Sequence, residues 1–545
     1  MTHRIKDIKI WIPLIVAVSL GIGIFAGTLV NRNNVATTGE KKLSNILDLI
    51  GNDYVDRIDT DSLLETVYPD LLQALDPHSS YIPSAELRSF NEELDGSFSG
   101  IGISFTMNND SVNVVEVIAG GPAEKAGILP GDRIITVDDE SVVGKGLTAE
   151  KVRSMIKGMK GSTVKVGVKR ESANKMLEYE IERGDVPVNS IDASYIIDNG
   201  IGYIHVNQFS RTTYNEFLNS LATLAKDGAE TFIIDLRGNL GGYLEMAVLM
   251  ANEILPKGAP IVFTKTRDGL DDRYIISDGT GAFPDAGIVI LLDEYSASSS
   301  EVFSGAIQDN DRGLIIGRRS FGKGLIQRQT ILPDSSALQL TVGRYYTPSG
   351  RSIQKDYSNQ SVYRNDIVER YNHGEAFSAD SIHQDTTNVF LTANGRKVYG
   401  GGGIMPDVFV PSDTAGVTGY YLNVANAGLF QKFTFDYADS HRKVLSKAKT
   451  TQELLQLLPD DDSLLRDFIN YASKAGIPAR WYYINISRNL IVDQLKAMIA
   501  RDILGYSSSY EILNQRDPAV NEALKRIKSG EANSPVEIQG VNNKK

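Results

Sequence analysis

Apolar residues recur at helical spacing near the start of the chain. Leu43, Ile46 and Ile50 fall on one face of a helix, and the pattern stops just before Pro77, which disfavours helical geometry in the residue preceding it. We therefore predict an N-terminal helical segment over residues 43–95.

From residue 96 the pattern changes to short apolar strands separated by glycine turns. Strands are predicted at residues 112–117 and 163–170, with a helix at 148–157 between them. This order predicts a small, mainly β domain over residues 96–185.

Residues 186–415 alternate helices with strands that are apolar throughout. Such strands are typical of a mainly parallel, covered sheet, so we predict an α/β core. Its strands are expected at residues 201–206, 231–236, 287–292, 314–317, 324–332 and 337–346, and its helices at 212–227, 243–255 and 299–308.

Two further segments differ from this core. Residues 355–396 are polar and irregular, which is typical of an insertion, whereas residues 416–545 form a helical extension with clear periodicity at 489–504. The last fifteen or so residues are expected to be disordered.

The N-terminus carries a compartment signal. Arg4, Lys6 and Lys9 precede an uncharged apolar run, residues 10–30, which is long enough to cross a hydrocarbon core of roughly 30 Å. The basic flank favours a cytoplasmic N-terminus, so residues 1–31 are predicted to be a stub and single-pass anchor in the inner (cytoplasmic) membrane, with the remainder periplasmic or extracytoplasmic. A cleaved signal peptide is the alternative, and it exports the chain as well.

Composition excludes several classes of protein. The formal net charge of −12 argues against nucleic acid as a partner. The absence of cysteine removes disulfides, thiolate metal sites and a cysteine nucleophile, and none of the six histidines belongs to a His-Glu-x-x-His pair. We therefore expect no cofactor and no metal, and any hydrolysis must proceed without a metal.

Two loops of the α/β region follow buried strands, where ligands of such sheets bind. The glycines of the first loop, residues 235–242, could aim amides at an oxyanion or a phosphate, or simply form a tight turn capped by Asn239. The second loop places Ser298 at a strand-to-helix turn, beside the N–H of Ser299. Ser298 and Glu301 also match a capping box, which would give the serine a structural role.

A third loop carries Lys323 between two glycines. The stretch resembles a phosphate-binding P-loop, but Gly324 stands where a hydroxyl residue is required and a strand follows, so we reject nucleotide binding. A lysine buried without a carboxylate partner has a lowered pKa and can accept a proton, whereas a surface lysine on a turn would not. A serine nucleophile without a His-Asp pair needs such a base.

These loops and their flanking motifs resemble the carboxy-terminal processing peptidases, the S41 family of serine endopeptidases. The matching motifs are Asp235-Leu236-Arg237-x-Asn239-x-Gly241-Gly242, Ser296-Ala297-Ser298-x-Ser300-Glu301, Phe321-Gly322-Lys323-Gly324, Asp76-Pro77-His78-Ser79, Tyr346-Thr347-Pro348-x-Gly350 and Gly403-Ile404-x-Pro406-Asp407. The resemblance covers residues 43–410 and implies a crotonase/ClpP-like α/β core with an inserted PDZ domain. The sequence departs from the family at Gly238, often asparagine, and at Ser299, often alanine.

The resemblance also implies roles for individual residues. Ser298 would be the nucleophile, Lys323 the general base and Gln327 the assisting glutamine. The oxyanion hole would combine the N–H of Ser299 with that of Gly241 or Gly242, and the sequence does not decide between these glycines.

Residues 96–185 resemble a PDZ domain in the order of their elements and in the string Gly121-Pro122-Ala123…Ala126-Gly127…Gly131-Asp132. Glycines before a peptide-binding strand let backbone amides approach a terminal carboxylate. The expected groove residues are Gly100, Ile101, Gly102, Ile103 and Val152. A small β domain that binds nothing is the alternative.

The family resemblance implies a serine endopeptidase that cleaves exported or envelope proteins near their C-termini, with the PDZ domain recognising substrates or gating the site. Expected partners are peptide C-termini, the membrane, and a homo-oligomer or an adaptor protein. The rival hypotheses are a catalytically inactive PDZ-containing scaffold of the cell envelope, a crotonase-type acyl-transfer enzyme, and Glu301 or His205 as the true base.

Overall fold

The structure, a computed structural model, describes residues 38–533 except 109–110, 119, 145, 171–172, 174 and 383–386. The chain divides into a unit that ends at Leu75 and a unit that begins at Asp76. The predicted anchor, residues 10–30, and most of the predicted disordered tail lie outside the described residues. Of the helices that are described, none is long and apolar enough to span a bilayer.

The first unit contains two helices, α1 (Thr38–Asp53) and α2 (Thr60–Gln73). They are separated by a short break, because the carboxylate of Asp59 caps α2 by accepting the N–H of Asp61 at 3.2 Å and the hydroxyl of Ser62 at 2.7 Å. The helical pattern predicted before Pro77 is therefore interrupted once.

The second unit begins with β1 (Ser80–Ile82) and α3 (Ser84–Asp95) and continues into a mainly β domain. Its elements are β2 (Ser97–Gly100), β3 (Ile103–Asn108), β4 (Ser111–Val117), α4 (Pro122–Ala126), β5 (Arg133–Val137), β6 (Glu140–Ser141), α5 (Ala149–Ile156), β7 (Thr163–Lys169), β8 (Leu177–Glu182) and β9 (Gly184–Pro187). The sheet order is β3-β4-β5-β7-β8, with β6 on β5, while β2 pairs with β9. Strand β3 is thus an edge strand of its sheet.

The Gly-Pro-Ala…Gly-Asp string shapes this domain. Pro122 begins α4, and Gly127 ends it at φ +93°, a backbone conformation that favours glycine. Asp132 is buried and accepts two hydrogen bonds from the guanidinium of Arg170, each at 2.7 Å. These residues therefore form the short helix α4 and supply the buried carboxylate of the Asp132–Arg170 ion pair.

The α/β region follows. Its elements are β10 (Ile191–Asp198), β11 (Ile201–Val206), α6 (Thr213–Lys226), β12 (Thr231–Asp235), α7 (Leu244–Ile254), β13 (Pro260–Thr266), β14 (Arg273–Ile276), β15 (Gly287–Leu292), α8 (Ser299–Asp309), β16 (Leu314–Gly317), β17 (Leu325–Ile331), β18 (Ala337–Tyr346), α9 (Gln360–Asn372), β19 (Val389–Leu391), β20 (Lys397–Tyr399) and β21 (Val408–Phe409).

The main sheet has the order β10-β11-β12-β15-β16-β21 and is parallel except for β10, which agrees with the predicted mainly parallel sheet. One face packs against α6, α7 and α8 through buried residues such as Phe217, Met250 and Phe303. The strands end at one edge, so the loops after β12, β15 and β16 lie side by side there. A second, antiparallel sheet has the order β1-β18-β13-β14, with β17 on β18.

The prediction that residues 355–396 are irregular was wrong for a large part of this segment. It contains the thirteen-residue helix α9, which begins after Asn359, and the strand β19. Helix α9 buries Tyr363 and Arg370 and no aliphatic side chain, so it shows no apolar periodicity in the sequence.

The predicted helical extension consists of α10 (Gly419–Asn426), α11 (Leu429–Leu445), α12 (Thr451–Leu457), α13 (Asp461–Lys474), α14 (Trp481–Leu504), α15 (Tyr506–Leu513) and α16 (Pro518–Lys528). The first six contribute to one apolar core. Helix α16 covers the second face of the main sheet with Ala519, Val520 and Ala523.

Candidate active site

Ser298 lies between β15 and α8, at the carboxyl edge of the main sheet. Its backbone has φ +55° and ψ −113°, a conformation that costs of order 1–3 kcal/mol in a residue with a Cβ. Ala297 and Ser299 on either side are buried, whereas Ser298 is half-buried. The strained turn therefore brings only this serine towards the surface.

Glu301 is fully buried and joins the Ser298 turn to the Lys323 loop. One carboxylate oxygen accepts the N–H of Ser298 at 2.9 Å and the N–H of Lys323 at 2.8 Å. The other accepts the Ser320 hydroxyl at 2.5 Å and the Gly322 N–H at 2.7 Å. Burial raises the pKa of Glu301, while these four donors oppose the rise. Because the carboxylate already accepts four hydrogen bonds, Glu301 holds the two loops together and is a poor candidate for the base.

Lys323 has the properties required of a neutral amine. Burial lowers its pKa, and the negative charges of Glu301 and Asp76 only partly counteract this. Its ammonium nitrogen makes no hydrogen bond or ion pair with the part of the chain that the structure describes. The amine is therefore available to accept a proton.

The hydroxyl of Tyr345, on β18, also links the two segments. It lies 3.0 Å from the carbonyl oxygen of Ser298 and is hydrogen-bonded to the carbonyl oxygen of Lys323. Ser298 and Lys323 are thus held through both their amides and their carbonyls.

Gln327 lies on β17, and β18 separates this strand from β1, which follows the turn at Asp76. Its side-chain amide is 3.4 Å from the hydroxyl oxygen of Thr341, and that hydroxyl is 3.1 Å from the carboxylate of Asp76. Gln327 therefore belongs to a polar chain that ends at Asp76, one of the carboxylates that act on Lys323.

The two candidate oxyanion glycines differ in their hydrogen bonds. The N–H of Gly241 donates to the side-chain oxygen of Asn239 at 2.8 Å. Gly242 is exposed, and neither its N–H nor that of Ser299 has an acceptor among residues 38–533 as described. The Ser299 hydroxyl donates to the Gly242 carbonyl at 2.9 Å, which links the two residues directly.

Arg237, in the loop that contains these glycines, is fixed by a contact the sequence does not reveal. Its guanidinium donates to Asp235 at 2.6 Å and to Asp517, the N-cap of α16, at 2.8 Å. The helical extension therefore anchors the glycine loop.

His205, a rival base, lies away from Ser298. Its side chain alternates with Ile204 and Val206, which face the helices α6–α8, so His205 faces the opposite side of the sheet. There its Nδ1 is 2.6 Å from Asp192 and its ring stacks on Tyr510 at 4.6 Å.

The predicted groove residues lie around the start of the edge strand β3. Gly100 ends β2, Gly102 has φ +82°, and Ile103 is half-buried at the first position of β3. Ile101 and Val152 belong to the apolar core of the domain, so their side chains are buried rather than on an open surface.

A strained serine and a buried lysine at the carboxyl edge of an α/β sheet, beside a β domain with a free edge strand, define a candidate serine–lysine hydrolase.

Three family models match the chain. Peptidase family S41 matches residues 200–361, the PDZ domain matches residues 99–181, and a family of unknown function matches residues 420–505 within the helical extension.

Two proteases of Bacillus subtilis give the same assignment. The chain is 32% identical to the carboxy-terminal processing protease CtpA of Bacillus subtilis (strain 168) over 348 residues, which cover 63% of this chain and 73% of the relative. It is 34% identical to CtpB of the same strain, with 58% of this chain and 65% of CtpB covered, so it spans slightly less than two thirds of that relative. Among solved structures, the photosystem II D1 C-terminal processing protease is 28% identical, with 58% of this chain and 91% of that chain covered and a TM-score of 0.32. The chain belongs to the carboxy-terminal processing proteases of peptidase family S41.

Proposed function

We propose that this protein is a serine endopeptidase of the carboxy-terminal processing type, with Ser298 as nucleophile and Lys323 as base. The observation that carries the proposal is that Glu301 and Tyr345 each hydrogen-bond to both Ser298 and Lys323. These bonds fix the strained serine relative to the lysine, and burial lowers the pKa of that lysine.

In the proposed reaction, neutral Lys323 takes the proton of Ser298 and the alkoxide attacks a peptide carbonyl. Lys323 then gives the proton to the leaving amine, and water hydrolyses the acyl-enzyme. The N–H groups of Ser299 and Gly242 stabilise the oxyanion, because the N–H of Gly241 is already bound to Asn239. Each such donor lowers the barrier by roughly 3 kcal/mol. Gln327 assists through the polar chain to Asp76.

The proposed substrates are exported proteins that are cut near their C-termini. The PDZ domain takes a C-terminal segment as an added strand along β3, with residues 100–103 around the terminal carboxylate; the free edge of β3 supports this. Residues 10–30 anchor the protein in the cytoplasmic membrane with the peptidase outside, which the length of the apolar run and its basic flank support.

Cleavage of an unfolded protein by the full chain in detergent tests the function. Wild type is compared with Ser298→Ala, Lys323→Met and, as a matched control, Lys226→Met on the exposed side of α6. We expect wild type and the control to cut and the other two to be inactive. Cutting by all variants would show the site to be wrong. A wild type that stays inactive even with C-terminal peptides present would favour the inactive envelope scaffold.

A further inference from the structure

The start of helix α14 exposes a group of large apolar side chains that no described part of the chain covers. Trp481, Tyr482, Tyr483 and Ile486 are exposed to 51%, 75%, 41% and 50%. Single exposed apolar residues are normal on a protein surface, but a contiguous group marks a surface that contacts something else. We call these four residues the aromatic patch.

The aromatic patch belongs to the outer surface of the helical extension. Ile484 and Ile491 of the same helix are fully buried in the apolar core of the extension, whereas residues 478–483 are exposed without a break. An added Cβ at Gly416 would lie 3.3 Å from the carbonyl oxygen of Ile486, so the exposed Val417 next to it lies close to the patch. The core is therefore complete without the patch residues.

The charge around the aromatic patch is positive. Between residues 468 and 492 the chain carries Lys474, Arg480 and Arg488 and no acidic residue. Arg488 is paired with Asp462 at 2.6 Å, whereas Lys474 and Arg480 are exposed and form no ion pair with the described residues. Two unpaired cations beside an apolar patch contrast with the formal net charge of −12 for the whole chain. The partner of this surface should therefore combine apolar groups with negative charge.

The residue types in the aromatic patch favour a lipid surface over a protein. Tryptophan and tyrosine concentrate where head groups meet hydrocarbon, because their rings are apolar while the indole N–H and the phenol hydroxyl can bond to head groups. Each Lys or Arg beside an anionic bilayer strengthens binding by about fivefold. The proposed anchor, residues 10–30, would also keep a bilayer within reach of the chain.

We propose that the aromatic patch inserts into the head-group region of a bilayer that contains anionic lipid. This inference rests on the anchor in the proposed function, and it does not depend on the peptidase activity. The helical extension, which matches a family of unknown function, thereby gives the chain a second contact with the membrane.

Tryptophan fluorescence tests the contact, because the chain contains only two tryptophans, Trp11 in the proposed anchor and Trp481 in the patch. The full chain with Trp11→Phe is reconstituted in vesicles of phosphatidylglycerol and phosphatidylcholine, with plain acyl chains or with chains brominated near the head groups. Bromine quenches an indole only at contact distance. We expect the brominated vesicles to lower Trp481 emission by about half or more, and vesicles of phosphatidylcholine alone to lower it less.

Charge reversal gives the second measurement. Lys474→Glu together with Arg480→Glu should reduce the quenching of Trp481 in the anionic vesicles severalfold, because the cations that attract the head groups are lost. Lys226→Glu, on the exposed side of α6, is the control and should leave the quenching unchanged. Trp481→Phe leaves Trp11 as the reporter of the anchor, and bromine placed deep in the acyl chains should quench it.

The two reporters distinguish a failure of the patch from a failure of the anchor. The proposal is overturned if Trp481 is no more quenched in brominated than in plain vesicles, whatever the result for Trp11. It is also overturned if Trp481 emission shifts to the blue with rising protein concentration in detergent without vesicles, because a second copy of the chain would then cover the patch. A quenched Trp481 with an unquenched Trp11 would support the lipid contact and contradict the anchor.

Discussion

The guanidinium of Arg237 donates a hydrogen bond to the carboxylate of Asp517 at 2.8 Å, across 280 residues of sequence. Arg237 begins the glycine loop, and Asp517 caps the helix that covers the second face of the main sheet. The position of the proposed oxyanion donors therefore depends on the helical extension.

Asp517→Asn tests this dependence. Asparagine caps a helix as well as aspartate does, so α16 should keep its start while the charge facing Arg237 is lost. We expect kcat to fall roughly threefold to tenfold, because the glycine loop loses an anchor. The Tm should change little, because the partly exposed pair contributes only about 1 kcal/mol to the free energy of unfolding. Asp460→Asn, at the N-cap of α13, is the control and should leave kcat unchanged.

Gly241→Ala should abolish activity through a steric clash. An added Cβ would lie 2.7 Å from the Cβ of Ser298 and 2.9 Å from the carbonyl oxygen of Ala297, at a φ of +104°. Displacing the nucleophile by this much should lower kcat/KM at least about a hundredfold.

The control for this substitution is Gly238→Asn, three residues earlier. Gly238 has φ +73°, which asparagine tolerates, and no atom lies within 4 Å of an added Cβ. Its kcat/KM should stay near that of wild type. An active Gly241→Ala enzyme, or an inactive Gly238→Asn enzyme, would contradict the proposed geometry of the loop.

The pH dependence of the reaction should report on Lys323. Its pKa is lowered by burial, and only the neutral amine can take the serine proton. The kcat/KM profile should therefore rise with pH through an apparent pKa below the usual lysine value of about 10.4. Lys323→Arg should be inactive at every pH, since arginine stays charged. If the apparent pKa of this rise in kcat/KM were at or above the usual lysine value, a buried base would be contradicted.

Lys323→Met should also stabilise the fold at neutral pH. Because the pKa of Lys323 is lower when folded than when unfolded, unfolding takes up a proton between the two values and wild-type stability rises with pH across that window. Methionine removes this proton uptake. Calorimetry should give a higher Tm for the variant at neutral pH, with a difference that shrinks as the pH approaches the usual lysine value.

Glu301→Gln should be costly for both stability and activity. The amide NH₂ of glutamine would face two of the four donors that the carboxylate now accepts, all in a buried site. We expect unfolding to become easier by roughly 2–4 kcal/mol and kcat to fall with it. Chemical denaturation measures the first effect. Glu245→Gln, on the exposed side of α7, should change stability by less than about 0.5 kcal/mol.

Patterns within one element were sufficient to predict much of this fold. The continuous apolar runs at β11, β12 and β15 predicted the parallel sheet, and the glycine-proline string around Pro122 predicted the PDZ domain. The loops with Ser298 and Lys323 could be identified because each combines a strand end with unusual local chemistry.

What the sequence did not reveal are contacts between distant segments. Glu301 matches a helix cap, and nothing in its own stretch indicates that it also binds the Lys323 loop. Helix α9 was missed because it buries a tyrosine and an arginine instead of an aliphatic stripe. The Arg237–Asp517 pair depends on where the last helix packs, which no local pattern contains.

The placement of α16 also bears on how the chain folds during synthesis. Ser298 and Lys323 leave the ribosome well before Val520 and Ala523, which cover the second face of the sheet. Until then the nascent chain carries Ser298 and Lys323 on a sheet with one apolar face open to water. An open apolar face favours aggregation, so we expect a chain truncated before residue 517 to be less soluble than the full chain.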